Sequence, residues 1–377
     1  MLIYIGLFIF TTLIFRCGDF VKQKKRIFVD AIGIFLLCLI AGMRASSVGT
    51  DTATYLQPSI TFAISAHDFA SFWHSSWIQW GYAVMSISQY EIGYVLVIWI
   101  CSKVFHTIGT VQFVVELLMI APLYYVLRKN RDCSVWLGML TWELLFYNSS
   151  FNMIRQTMAC SFLVLSYYFW GIDKRKSVIW LVVATLFHKS GLLGIGIFII
   201  YYFINSYKGG YISAKRHKFA RLIIVICAGI GILVFSEGIA LFLRVIGLGG
   251  YIPYISFRSS TILWNQILYK LPGLLILLFN YRNVEKCTTD SMFYIAMVMY
   301  SIIMSQFYGA AGAGIYGGRI SLFFAEFNVI IYPTMVKRGK YREILTLLLI
   351  LYLIIYWYVY YVISGIDSTI PYVVYWH

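Results

Sequence analysis

Charge is scarce in this chain, and negative charge is scarcer still. Asp and Glu number 15 against 30 Lys and Arg in 377 residues, and the four types together make up 12%. A soluble domain carries roughly 25%, so half that leaves too few polar side chains to cover a water-facing surface. With 61% hydrophobic residues and a mean hydropathy of +0.79, lipid is the expected solvent. Also missing is the polar–apolar alternation over about ten positions that marks a transmembrane barrel strand. Runs such as LIYIGLFIFTTLIF, LIIVICAGIGILVF and ILTLLLILYLIIYWYVYYVI do not alternate. Backbone groups in a bilayer must bond one another, and without barrel strands only helices achieve this. The expected fold is an all-α polytopic integral membrane protein.

Cysteine pairing is absent too. Cys17, Cys38, Cys101, Cys133, Cys160, Cys227 and Cys287 form no CxxC and no His/Cys ligand spacing. Free thiols are expected, with no disulfide framework, no metal and no cofactor. No small-residue cleavage site follows the first apolar run before KQKKR, so that run reads as a retained span. Neither an internal repeat nor a low-complexity linker breaks the chain, and 1–377 reads as a single polytopic membrane domain.

What is present is basic and clustered. The formal net charge of +15 would suggest nucleic acid in a soluble protein. Here the positives fall between apolar runs, at 22–26 (KQKKR), 128–131, 173–176, 215–221, 282–286 and 337–342. That is the positive-inside pattern, so the basicity reads as topology and no nucleic-acid partner is expected. Spans are expected near 2–16, 27–43, 112–128, 134–148, 156–171, 177–188, 191–207, 219–247, 265–281, 290–308, 319–336 and 343–363. The stretch 92–105 is apolar but about 14 residues long, short of the roughly 20 needed to cross. If it does not cross, every basic cluster stays on one side and both termini lie on the other. If it crosses, a further span hidden in 60–90 restores parity, so twelve to fourteen helices are expected. Residues 44–90 then form an outer segment, whose Trp73, Trp77 and Trp80 suit an interfacial helix at headgroup depth.

With 22 of the 30 basic residues assigned to the cytoplasmic side, eight remain: Arg44, Lys103, Arg155, Lys189, Arg244, Arg258, Lys270 and Arg319. Most map to outer helix ends, and three have polar company, in RASSVGTDTATY, YNSSFNMIRQ and FHKSG. Arg319 follows the glycine-rich GAAGAGIYGG. Each has a plainer role open to it. An arginine at a helix end anchors headgroups, Asp51 or Glu91 can cap a helix, a lone His188 can pack, and the glycines can serve a tight turn. Convergence favours function, because charge near a membrane is costly. Arginines on one face, with a few carboxylates and one histidine, suit a diphosphate-bearing lipid, since guanidinium grips phosphate oxygens through a two-pronged fork.

The stretches MRASSVGTDTATY, EIGYVL, FNMIRQTMACSF, LFHKSGLL and GGRISLFFAEFNVIIYP, in that order from residue 43 to about 333, resemble the EpsG family of exopolysaccharide proteins. That family is grouped with Wzy-type O-antigen and capsule polymerases. The resemblance implies a GT-C-like helical architecture in the bacterial cytoplasmic membrane, with the active site facing outward. The activity implied is glycosyl transfer from one undecaprenyl-diphosphate-linked repeat unit to another. Donor and acceptor glycolipids are the implied partners, alongside membrane lipids, a chain-length regulator and a flippase. Residue by residue, the resemblance supports Arg44, Asp51, Thr52 and Tyr55, then Asn152, Arg155 and Gln156, then His188 and Ser190, and last Arg319. The chain departs at EIG, where the family often has proline in E-P-G, which loosens the match at Glu91.

Sugar transfer of this kind passes through an oxocarbenium-like state while diphosphate leaves. Arg155 and Arg319, with Arg44 and Arg258, are the expected stabilisers of that leaving charge. The base for the attacking hydroxyl is left among His188, Asp51 and Glu91. Two other classes stay open: a flippase for the same glycolipids, and a polysaccharide acyltransferase built on His188. Glu116, Glu143, Glu237 and Glu326 lie within spans, but the arginines gather on one side, which favours a surface site over a pathway.

Overall fold

The computed structural model describes residues 1–79, 81, 83–206, 211–245, 262–285, 290–307 and 316–375. They divide into two compact units, Met1–Gly191 with Leu353–His377, and Leu192–Tyr352. Every stretch read as a span holds helix. Among the described residues, Ile108–Lys129, Arg216–Val234 and Arg342–Ile363 are long and apolar enough to cross a membrane, and Gly318–Ala325 with Asn328–Lys337, bent by 41°, reaches that length only as a pair. Shorter apolar helices accompany them. The chain is an all-α polytopic membrane protein.

The first unit opens with α1 (Leu2–Gly18) and α2 (Gln23–Gly42). A π-helical turn, Thr52–Leu56, runs into α3 (Gln57–Ser65), followed by the short α4 (Phe69–Trp73). Then come β1 (Ser76–Gln79) and β2 (Ala83–Ser86), an antiparallel hairpin that pairs Ile78 with Val84. The helices α5 (Ile92–Phe105), α6 (Ile108–Lys129), α7 (Val135–Leu145), α8 (Tyr147–Ser150), α9 (Ile154–Trp170) and α10 (Lys174–Phe187) complete the unit before its C-terminal part.

Two ends of this unit can be told apart by their charges. At one, Arg26 bridges Asp19 (2.7 Å) and Asp30 (3.3 Å), and Arg128 reaches Asp30 at 3.7 Å. Tyr124 donates to the same Asp30 carboxylate at 2.8 Å. The clusters 22–26 and 128–131 therefore share an end, because α2 and α6 run side by side in opposite directions. Their other ends meet where a Cβ on Gly42 would stand 2.8 Å from the Gly109 carbonyl, an approach only glycine permits.

Helix α5 belongs wholly to that second end. Its cap residue Glu91 pairs with Arg155 at the start of α9, and two residues beyond its last turn the chain enters α6 beside Gly42. Its 14 residues do not traverse the unit. Lys103 of α5 donates to the carbonyls of Ile64 (3.3 Å) and Ala66, closing the C-terminal end of α3, where a cation is favoured. The interfacial helix expected at 73–80 is not what forms. Trp73 ends α4, Trp77 sits in β1, and Trp80 lies outside the described residues. Trp77 stacks on Phe62 and Tyr90 and donates from Nε1 to the Thr54 carbonyl at 3.2 Å, so it pins the hairpin to the unit.

The second unit holds α11 (Leu193–Asn205), α12 (Tyr211–Val234), α13 (Ser236–Val245), α14 (Trp264–Glu285), α15 (Ser291–Met304), α16 (Tyr316–Ala325) and α17 (Asn328–Lys337). The run 219–247, read as one span, is two helices parted at Phe235. It exceeds the roughly 20 residues a bilayer needs, and the second helix opens with Ser236 and Glu237 directly after the break. Helix α15 is buried along almost its whole length. Lys270 of α14 donates to the Ser301 carbonyl at 2.7 Å and to Ser321 Oγ, tying α14, α15 and α16 together. The last helix, α18 (Arg342–Trp357), starts in the second unit, and its final turns, a π-helical stretch Tyr358–Ile363 and the tail beyond belong to the first.

Candidate functional site

At the second end of the first unit, three stretches far apart in sequence gather around Arg155. Its guanidinium pairs with Glu91 and lies over two tyrosine rings, 5.0 Å from the centre of Tyr55 and 4.7 Å from that of Tyr90. Such stacking suits the flat, weakly hydrated guanidinium. Tyr55 donates its hydroxyl to Asp51 at 2.6 Å, so a second carboxylate is bound at the phenol oxygen. The other oxygen of Glu91 accepts the backbone N–H of Lys189 at 3.1 Å. One short path thus runs Asp51, Tyr55, Arg155, Glu91, Lys189. Side-chain exposure is 21% for Arg155 and 8% for Glu91, so the pair is shielded without being sealed.

Electrostatics follow from that shielding. Burial works against a charged Glu91, but Arg155, with the Lys189 N–H behind it, outweighs burial and holds the carboxyl below its ordinary range. Burial pushes the Tyr90 phenol up to about 12 against the pull of Arg155, and Tyr55 rises for the same first reason. Both tyrosines stay neutral donors beside a permanent cation.

His188 follows the last turn of α10, and its Nδ1 accepts the Ser190 N–H at 3.1 Å. A neutral imidazole holding that bond carries its proton on Nε2. It presents a donor there, and the lone pair a base would use is engaged. Lys189 beside it is exposed.

The other expected residues take supporting places. Arg44, expected among the stabilisers of the leaving charge, is fully enclosed. It donates from Nε to Thr52 Oγ1 (3.1 Å) and from Nη1 to the Ala41 carbonyl (2.5 Å), and it lies 4.4 Å from the centre of the Phe151 ring. Thr52 in turn donates to the Phe151 carbonyl at 3.3 Å. Gly49 has φ +83° and presses on that same carbonyl, where a Cβ would collide. Asn152 accepts from Thr50 and donates from Nδ2 to Asp367 Oδ1 at 2.6 Å, so both ends of its amide are engaged. Gln156 is buried in α9. Arg319 lies half-buried in α16 of the second unit, and Arg258 falls outside the described residues, as does most of the glycine-rich stretch before Arg319.

Asp367 is a site neighbour that the motifs do not contain. Its signal in the sequence is scarcity: it is the sole Asp, Glu, Lys or Arg in residues 344–377. Among the described residues, no group of three or more His, Cys, Asp or Glu side chains is arranged to hold a metal ion.

The sequence model of the EpsG family matches residues 27–374. Among curated proteins, the chain is similar to the amylovoran biosynthesis protein AmsC of Erwinia amylovora. The two are 22% identical over 337 residues, spanning 84% of this chain and 82% of that relative. No solved structure matches.

Proposed function

Because this chain belongs to the EpsG family, we propose that it is a membrane glycosyltransferase of exopolysaccharide biosynthesis. In this reading it is a polymerase of the Wzy type, which joins undecaprenyl-diphosphate-linked repeat units on the outer face of the cytoplasmic membrane. The name of the AmsC relative supports a role in exopolysaccharide assembly. The observation that carries the reading is the convergence of Asp51, Tyr55, Glu91, Arg155 and His188 at the end of the first unit remote from its basic clusters. By the positive-inside rule the basic end faces the cytoplasm, and the cluster faces out.

In this mechanism the acceptor hydroxyl attacks the anomeric carbon of the donor. The carbon–oxygen bond to the diphosphate breaks, and the diphosphate leaves with the electron pair. Arg155 receives the growing phosphate charge, a contribution made chiefly in the transition state. His188, through Nε2–H, and Lys189, whose backbone N–H holds Glu91, are further donors on the loop after α10.

The ion pair also links donor binding to proton removal. A diphosphate competes with Glu91 for Arg155, and a carboxylate stripped of its counter-ion becomes more basic. Glu91 then takes the proton of the attacking hydroxyl. Asp51, held by Tyr55, is the alternative base.

The test is glycan profiling of cells lacking the protein, complemented with wild type, Arg155→Ala or Glu91→Gln at equal membrane abundance. A ladder with wild type and single repeat units with either variant is expected. A normal ladder with Arg155→Ala would sink the reading. Lipid-linked units trapped inside the deletion strain would point to a flippase instead.

A further inference from the structure

We propose that the C-terminal tail, residues 364–375, is a built part of this site, with Asp367 as the positioning residue that sets the Asn152–Arg155 turn. The inference rests on the cluster around Arg155 being the donor site.

The tail returns over the end of the unit and ties down both loops that carry the site. On the first loop, Gly49 donates to the Ser368 carbonyl at 3.0 Å and Ala45 to the Val373 carbonyl at 2.9 Å, while Tyr375 donates to the Met43 carbonyl at 2.8 Å. These bonds close a short antiparallel bridge between Arg44 and Val374. On the second loop, Asn148 Nδ2 donates to Thr369 Oγ1 at 2.8 Å, and Tyr4 of α1 donates to the Thr369 carbonyl at 3.0 Å.

Asp367 is the centre of this arrangement. Its two carboxylate oxygens accept from different side chains of one turn, Oδ1 from Asn152 Nδ2 and Oδ2 from Ser149 Oγ, each at 2.6 Å. Bonds to a charged acceptor are the strong and directional ones. The backbone is twisted to permit them: Asp367 has φ +71° and Ser368 φ +51°, a region that side-chain-bearing residues avoid. A tail with no task would relax out of that conformation, and strain of this kind persists only where its surroundings fix it.

What the clamp fixes is the entry to α9. Asn152 precedes Arg155 by three residues, and Met153 and Ile154 between them start the helix. The other end of the Asn152 amide holds Thr50, next to Asp51. Asp367 therefore spaces the two loops that bring Arg155 over the ring of Tyr55 and Asp51 to its hydroxyl. A misplacement of about 1 Å in such a group costs on the order of 100-fold in rate.

The experiment uses the full chain in lipid vesicles supplied with lipid-linked repeat units, and reads chain extension. Asp367→Asn is expected to slow turnover on the order of 10- to 100-fold, with the thermal midpoint and the KM for donor near those of wild type. The swapped pair Asn152→Asp with Asp367→Asn restores one amide facing one carboxylate, and is expected to regain most of the turnover. If Asp367→Asn extends chains at the wild-type rate while Arg155→Ala is dead, the positioning role is overturned and the site stands. If Arg155→Ala is also fully active, the site reading itself falls. Should Asp367→Asn fail to fold, the swapped pair decides: recovered turnover supports the proposal, and anything less overturns it.

Discussion

Glu91 and Arg155 lie 64 residues apart in the sequence and share an ion pair at the entrance of α9. The carboxylate holds two roles at once, because its second oxygen accepts the Lys189 N–H and so fixes the loop after α10. Three helices, α5, α9 and α10, are thus tied through one side chain.

That tie predicts how stability responds to acid. The Glu91 carboxyl is held below its ordinary value, so its contribution is fully present above the unfolded pKa, about 4.3. It is lost as pH falls through the lower folded value. The thermal midpoint of the purified protein should owe little to this group's titration from neutrality down to about pH 5, and should fall below about pH 4. Glu91→Gln should start lower and show a shallower acid limb. Equal acid limbs for the two proteins would show that Glu91 is not what titrates.

Much of the fold was legible in the sequence, because long apolar runs such as that in α6 leave little choice in a bilayer. The short 92–105 stretch was legible by length alone, and α5 keeps both its ends at one end of its unit. The hairpin was not. Residues 76–79 and 83–86 are too few for alternation to stand out, and three nearby tryptophans read equally well as one interfacial face. The site was half legible. Motifs pointed to Arg155, Asp51 and Glu91, yet that Glu91 meets Arg155 depends on how α5 and α10 pack against α9, and no local pattern encodes it. Arg44 shows the converse: an arginine beside a polar loop reads as a ligand, and whether it points inward is decided by Thr52 and Phe151.

Arg44 should therefore matter to stability before it matters to substrate. It is wholly buried, and burial disfavours its charge, which the Glu116 carboxylate partly offsets. Arg44→Met removes its bonds to Thr52 and Ala41, each involving a charged donor, for a loss on the order of 3 kcal/mol. The thermal midpoint should drop, while the KM for donor in the surviving folded fraction stays within about twofold. A large rise in KM with an unchanged midpoint would return Arg44 to the binding residues.

His188 offers the sharpest division between donor and base. A base in this reaction contributes roughly 100- to 10,000-fold, and an amide side chain cannot replace it. A donor can be replaced, because the glutamine amide places an N–H near the position of imidazole Nε2. With Nδ1 accepting from Ser190, the geometry favours the donor. His188→Gln should keep a substantial part of the chain-extension rate, and His188→Ala should lose on the order of 10-fold or more. If both variants fall together by 100-fold or more, His188 is the base, and Glu91 serves only to hold Arg155 until the diphosphate arrives.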